Sequence, residues 1–269
     1  MTKMKDRSSM ARFAQVLRYE MALSWRRYAT VIYGCLGSIA VLILLLMFTG
    51  DWYKHEYGHN DSMMMVEAGI FTVALVFFSS LAAAALGGNL KDKAGRISAF
   101  MLPATQLEKY MARWVIFIPL ALVVFLIGFI GIDLLRVALA SVFFPHASGH
   151  IHSVFTLFSS QHILDGVAWI ASYIMSLQAS FALGSMLWPK NSWVKTFAAL
   201  SILGMLVSFI MVWLALALFR DMAGYTLAGM DFLDDHGAWC MLAVTMLWAV
   251  VYHVIAYYRY KEMEIIQRW

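Results

Sequence analysis

Apolar residues in this chain come in long unbroken runs, not in the alternation of a strand or the one-sided stripe of a soluble helix. Six runs stand out, at 29–49, 66–87, 114–132, 163–188, 196–219 and 238–258. A helix needs roughly 20 mostly apolar residues to cross the hydrocarbon of a bilayer. Inside lipid the backbone must satisfy its own hydrogen bonds, which favours helices. The pattern therefore predicts an all-α membrane protein of six transmembrane helices, forming one membrane domain over residues 1–269. Composition agrees, with 62% hydrophobic and 13% charged residues and a mean hydropathy of +0.73. Soluble domains carry about a quarter charged residues.

The polar segments sort by charge. Of the 20 Lys and Arg, all but Lys54, Arg136 and Arg220 fall in the first, third, fifth and seventh segments, counted from the N-terminus. Most of the 16 acids lie in or near the even-numbered segments. Basic residues near spans stay cytoplasmic, so both termini are expected inside. The pI near 9.0 then reflects sidedness, and no basic run with interleaved aromatics suggests a nucleic-acid partner. No small-residue cleavage site precedes the first run, so no removable signal peptide is expected. Cys35 and Cys240 fall in the first and last spans, on opposite halves of the bilayer, where they are expected as unpaired buried residues.

Several segments carry finer signals. In 12–28, Phe13, Val16, Leu17, Met21, Trp25 and Tyr28 share a helical face opposite Arg12, Gln15, Arg18 and Arg26, although Glu20 and Ser24 interrupt the apolar side. This predicts an amphipathic helix at the cytoplasmic interface, with a straight extension of the first span as the other reading. Span two holds the small-residue row Ser80, Ala84 and Gly88, which suits close helix packing or the lining of a pathway. Span four holds Ser172, Ser176, Gln178 and Ser180, and Ser176 and Gln178 join Ser80 as candidate pathway-lining residues. Asp133 and Arg136 are three apart, so they can pair on one face. A helix emerging outward there is favoured over a deep ion pair. Residues 222–233 are too apolar for an ordinary loop and too short to cross, and predict a re-entrant or interfacial element.

The longest cytoplasmic segment, 88–113, contains Asp92, Gly95, Arg96, the apolar patch Phe100, Met101 and Leu102, then Pro103, Glu108 and Arg113. Pro103 is expected to open a helix that runs on into span three. Apolar residues exposed on an ordered inner loop point to a docking surface. This order resembles the loop of ABC-2-type transporter permeases: an acid, a Gly, an apolar pair and a Pro, with an acid five residues and a base ten residues after the Pro. Arg96 stands where the family often has Thr, and Arg113 where Lys is common. The resemblance implies two permease chains, as a homodimer or a heterodimer. Each docks a nucleotide-binding ATPase subunit through a cytoplasmic coupling helix in 88–113. It also implies outward transport of an apolar or amphipathic substrate across a bacterial cytoplasmic (inner) membrane. The chain has no G-x-x-x-x-G-K-[ST] phosphate loop, so ATP and Mg belong to the separate ATPase, and this chain is expected to be a transport subunit without catalysis.

Two rivals have their own signals. His55, Glu56 and His59 spell H-E-x-x-H, a zinc-protease spacing when helical, but Gly58 and the following polar run favour a loop. His146, His150 and His152 could join them in a metal or pH-sensing site, against a plain reading as solvated loop residues. A self-contained secondary transporter or channel would show internal repeats or mid-membrane charge. No repeat is visible, and His253 reads as the main ionisable group within a span.

Overall fold

The computed structural model describes residues 2–49, 60–91, 93–145, 153–154, 163–188, 190–219 and 230–266. It is helical, with no strand among the described residues. Eight α-helices follow in order: α1 Thr2–Thr49, α2 Asn60–Ala84, α3 Lys93–Met101, α4 Gln106–Val115, α5 Ala121–Phe143, α6 Ile163–Leu187, α7 Ser192–Phe219 and α8 Met230–Ile266. Six helical stretches are long and apolar enough to cross a membrane: Tyr28–Thr49, Met63–Ala84, Gln106–Phe143, Gly166–Leu187, Ser192–Leu214 and Trp239–Met263. Each of the six apolar runs maps onto one of them.

The differences from the sequence expectation have local causes. No break separates 12–28 from the first span. Nothing between Arg26 and Thr30 is a Gly or Pro, and α1 runs straight through as one helix. The second long helix ends at Ala84 in a turn through Gly87 and Gly88. Helix α4 begins at Gln106 and not at Pro103, because Thr105 supplies the cap. The helix through the third apolar run continues past residue 132. α4 continues through a π-helical turn, Ile116–Leu120, into α5. Pro119 lies in that turn, lacks an N–H, and would crowd an ordinary α-turn. The wider turn absorbs it, and the Ala121 N–H bonds back to the Ile116 carbonyl. α5 stops at Phe143, because Phe144 precedes Pro145 and leaves the helical region at φ −126° and ψ 64°. Of the element expected at 222–233, residues 230–233 begin α8 and the others lie outside the described residues. Cys35 and Cys240 are unpaired, but Cys240 is exposed and not buried.

The chain divides into two compact units, Met1–Ala82 with Leu102–Ile163, and Ala83–Met101 with Leu164–Trp269. In the first, α1 packs along α4 and α5. A phenylalanine stack joins α2 to α5, with ring centroids 4.7 Å apart for Phe71 and Phe129 and 5.1 Å for Phe78 and Phe125. At the far end, Met47, Met63 and Ala140 close a small apolar cluster. In the second unit, the turn after α2 presses on α6 so closely that a Cβ on Gly87 would collide with the Ser185 carbonyl. Gly184 meets the Thr196 side chain of α7 in the same way. The Ser192 hydroxyl donates to the Ala84 carbonyl at 3.1 Å, tying the start of α7 to the end of α2. Ser80, Ala84 and Gly88 are all buried, as close packing requires. Between residues 202 and 214, α7 is exposed on every side and almost wholly apolar, the surface of a helix whose surroundings are lipid.

Candidate functional site

The segment after α2 folds as a short 3₁₀ turn, Gly88–Leu90, then α3, a turn and α4. The Ala104 N–H bonds to the Leu102 carbonyl at 2.8 Å, turning the chain after α3. Thr105 is extended at φ −69° and ψ 154° and caps α4. Its hydroxyl accepts from the Glu108 N–H at 3.3 Å, while the Glu108 carboxylate accepts from the Thr105 N–H at 2.9 Å. This reciprocal capping box satisfies two helix-end donors. It also fixes the first turn after Pro103, with the acid of Glu108 at the positive end of the helix.

The expected acid and base both join α4 to α1. Glu108 lies 3.8 Å from Arg12, and because the Arg12 side chain is exposed the ion pair is weak. Arg113 lies 3.4 Å from Glu20, and both side chains are only 5% exposed. The Arg113 guanidinium also stands over the Phe117 ring at 5.5 Å, and Phe117 meets Tyr28 of α1 edge to face at 5.3 Å. A buried charge needs a partner, so Glu20, which breaks the apolar stripe of α1 in the sequence, is accounted for by Arg113.

The other loop residues differ in what they present. Gly95 and Arg96 are half-buried in α3, and the Ser98 hydroxyl donates back to the Gly95 carbonyl. Met101 is 78% exposed, with Ile97 and Pro103 also exposed and Leu102 half-buried. Phe100 is helical in backbone, with its side chain outside the described set, and Asp92 lies outside the described residues altogether. Among the described loop residues, α3 leaves Ile97 and Met101 open.

A second polar cluster includes a residue, Glu67, that was not read from the sequence. Glu67 of α2 is 0% exposed, and its Oε2 lies 2.7 Å from the Arg136 Nε of α5. Arg136 also reaches the Asp133 Oδ1 at 2.7 Å through a terminal guanidinium nitrogen. The Ser153 hydroxyl donates to the Asp133 Oδ2. The Asp133–Arg136 pairing expected from spacing is thus present. Both side chains are at most 3% exposed, so the pair is enclosed by protein. The burial has a cause: α2 brings Glu67 to the same guanidinium. His253 is therefore not the main ionisable group within a span. The signal was an acid inside an apolar run, which marks a functional or paired site in a membrane helix.

The hydroxyls of Ser172, Ser176 and Ser180 donate to the carbonyls four residues earlier in α6, at 2.7, 2.9 and 2.8 Å. Ser80 donates to the Phe77 carbonyl at 2.8 Å. Such back-bonding lets a serine lie in an apolar helix without a pathway to line. Gln178 is buried, and its Nε2 has no hydrogen-bond partner among the described residues. His55, Glu56, His59, His146, His150 and His152 lie outside the described residues. No group of three or more metal-ligating side chains occurs among the described residues. Comparison with protein-family models, characterised proteins and solved structures finds no match.

Proposed function

We propose that this chain is the membrane-spanning permease subunit of an ATP-driven exporter of the ABC-2 type. In this reading it works as a pair of permease chains in a bacterial inner membrane, and separate ATPase subunits dock on 88–113. One observation carries the reading. Glu108 and Arg113, the two charges at fixed distance after Pro103, are the residues through which α4 holds α1. A push on the exposed Pro103, just before α4, would reach the first and third spans through that joint. ATP and Mg act on the partner, and this chain converts the closure of the ATPases into movement of its helices and outward release of an apolar or amphipathic substrate.

The test is copurification in mild detergent from the native cell. A stoichiometric phosphate-loop ATPase is expected with the wild type and is lost in the folded double variant Phe100→Asp/Leu102→Asp. A chain that purifies alone, and stays alone after crosslinking, overturns the reading.

A second reading, a self-contained secondary transporter, is favoured by the charges buried within the spans at Glu67, Asp133 and Arg136. Uptake or efflux by the chain reconstituted alone in liposomes, without ATP, would decide for it.

A further inference from the structure

Helix α1 turns one face inward before the first span. Val16, Glu20 and Ser24, four apart, are buried, and Arg113 of α4 pairs with Glu20 there. The opposite face of the same turns is open. At its centre is Ala22, exposed and ending at a methyl group. On a helix surface the neighbours of a residue lie three and four positions before and after it. For Ala22 these are Arg18, Tyr19, Trp25 and Arg26. All four are exposed, Tyr19 by 47% and Trp25 by 49%. The shortest side chain of this face is thus ringed by two guanidinium groups and two aromatic rings.

The charge of the face is one-sided. Between residues 10 and 30 the chain has one acid, Glu20, and it is turned inward to Arg113. From α4, Glu108 faces Arg12, more than a turn before Arg18. Arginines on a face that carries no acid of its own attract an anion, and the planar guanidinium matches the oxygens of a phosphate.

Position along the helix selects which anion. The stretch apolar enough to cross a membrane starts at Tyr28, so the ring occupies the turns just before it. Tryptophan and tyrosine at the end of such a stretch sit at headgroup level. Trp25 meets Tyr33, inside the stretch, edge to face at 6.0 Å. A small soluble anion makes no use of exposed aromatic surface beside the arginines. A phospholipid does, because its glycerol and upper acyl chains continue from the phosphate toward the apolar stretch.

We propose that the face of α1 around Ala22 binds the headgroup of an anionic phospholipid. Arg18 and Arg26 reach its phosphate from either side, and Tyr19 and Trp25 lie against its glycerol and upper acyl chains. The bound lipid holds the α1–α4 pair at a fixed depth on the membrane surface. The site stands whether or not an ATPase drives the chain.

The deciding experiment is photolabelling of the whole chain in phosphatidylcholine vesicles that carry a small fraction of photoactivatable phosphatidylglycerol. Labelled positions are mapped by mass spectrometry. Label is expected within 18–33, and less of it with photoactivatable phosphatidylcholine in the same vesicles. Arg18→Gln/Arg26→Gln is expected to lower it about tenfold. Ala22→Glu, which sets an acid in the middle of the ring, is expected to act in the same direction. Lys190→Gln/Lys195→Gln, which removes as much charge from two exposed lysines beside the start of α7, is expected to leave it unchanged. Equal labelling by the two lipids overturns the site. So does labelling that persists in both α1 variants, or that falls as far in the lysine variant. Failure of both α1 variants to fold would overturn it as well, because an open face tolerates them.

Discussion

At the scale of single residues, Glu20 and Arg113 show how a flaw in a pattern becomes intelligible. Glu20 spoils the apolar side of α1, and that flaw is visible in the sequence. Its partner lies 93 positions away, and no periodicity connects the two. Because both side chains are buried at 3.4 Å, removing one strands the other. Arg113→Ala is expected to cost about 3–5 kcal/mol, while Glu20→Leu/Arg113→Met, which removes both charges and keeps volume, is expected to cost much less. Thermal unfolding of the two singles and the double in one detergent measures this. A double variant as unstable as the singles combined would mean the pair is not coupled. Glu67 teaches the converse. It stood in plain view inside an apolar run, but the chemistry that justifies it comes from two residues of another helix.

At the scale of elements, helix existence was legible and helix ends were not. Each run of about 20 apolar residues became a helix, because lipid-like composition leaves the backbone no other way to satisfy itself. The ends depend on local chemistry that hydropathy does not report. Thr105, not Pro103, starts α4. Asp133 and Arg136 look like the end of a helix in the sequence, but they pair with each other and with Glu67 inside α5, which runs on to Phe143. The interfacial helix expected at 12–28 is the first part of a single long α1, since nothing there interrupts it. The capping box gives a test at this scale. Thr105→Ala is expected to cost about 1 kcal/mol and to raise amide hydrogen exchange at 106–109 selectively. Exchange that is unchanged there would mean that the turn holds without its cap.

At the scale of the whole molecule, the described residues give six helices able to span a membrane, and the charge pattern supplies the orientation as an expectation. Thiol labelling checks it. In a background lacking Cys35 and Cys240, Ser98→Cys is expected to react with an impermeant reagent only after lysis, and Lys54→Cys in intact cells. The reverse pattern would invert the topology and place the 88–113 segment on the wrong face for an ATPase. The two buried charge clusters also give the molecule a scale. Arg113 and Asp133 lie on one helical rod, Gln106–Phe143, separated by about 30 Å at 1.5 Å per residue, close to the thickness of a bilayer's hydrocarbon. The two clusters thus bracket a stretch of that rod about as long as the hydrocarbon is thick.

The π-helical turn at Ile116–Leu120 lies between those brackets. An ordinary α-helix advances about 100° per residue, and a π-turn accommodates one residue more than the α-helix would. That residue sets the angular phase of everything beyond it. With Arg113 fixed toward Glu20, it decides whether Asp133 and Arg136 point at Glu67 or a quarter-turn away. Pro119 therefore works like the offset between two keys cut on one shaft: both locks engage only while the extra residue is kept.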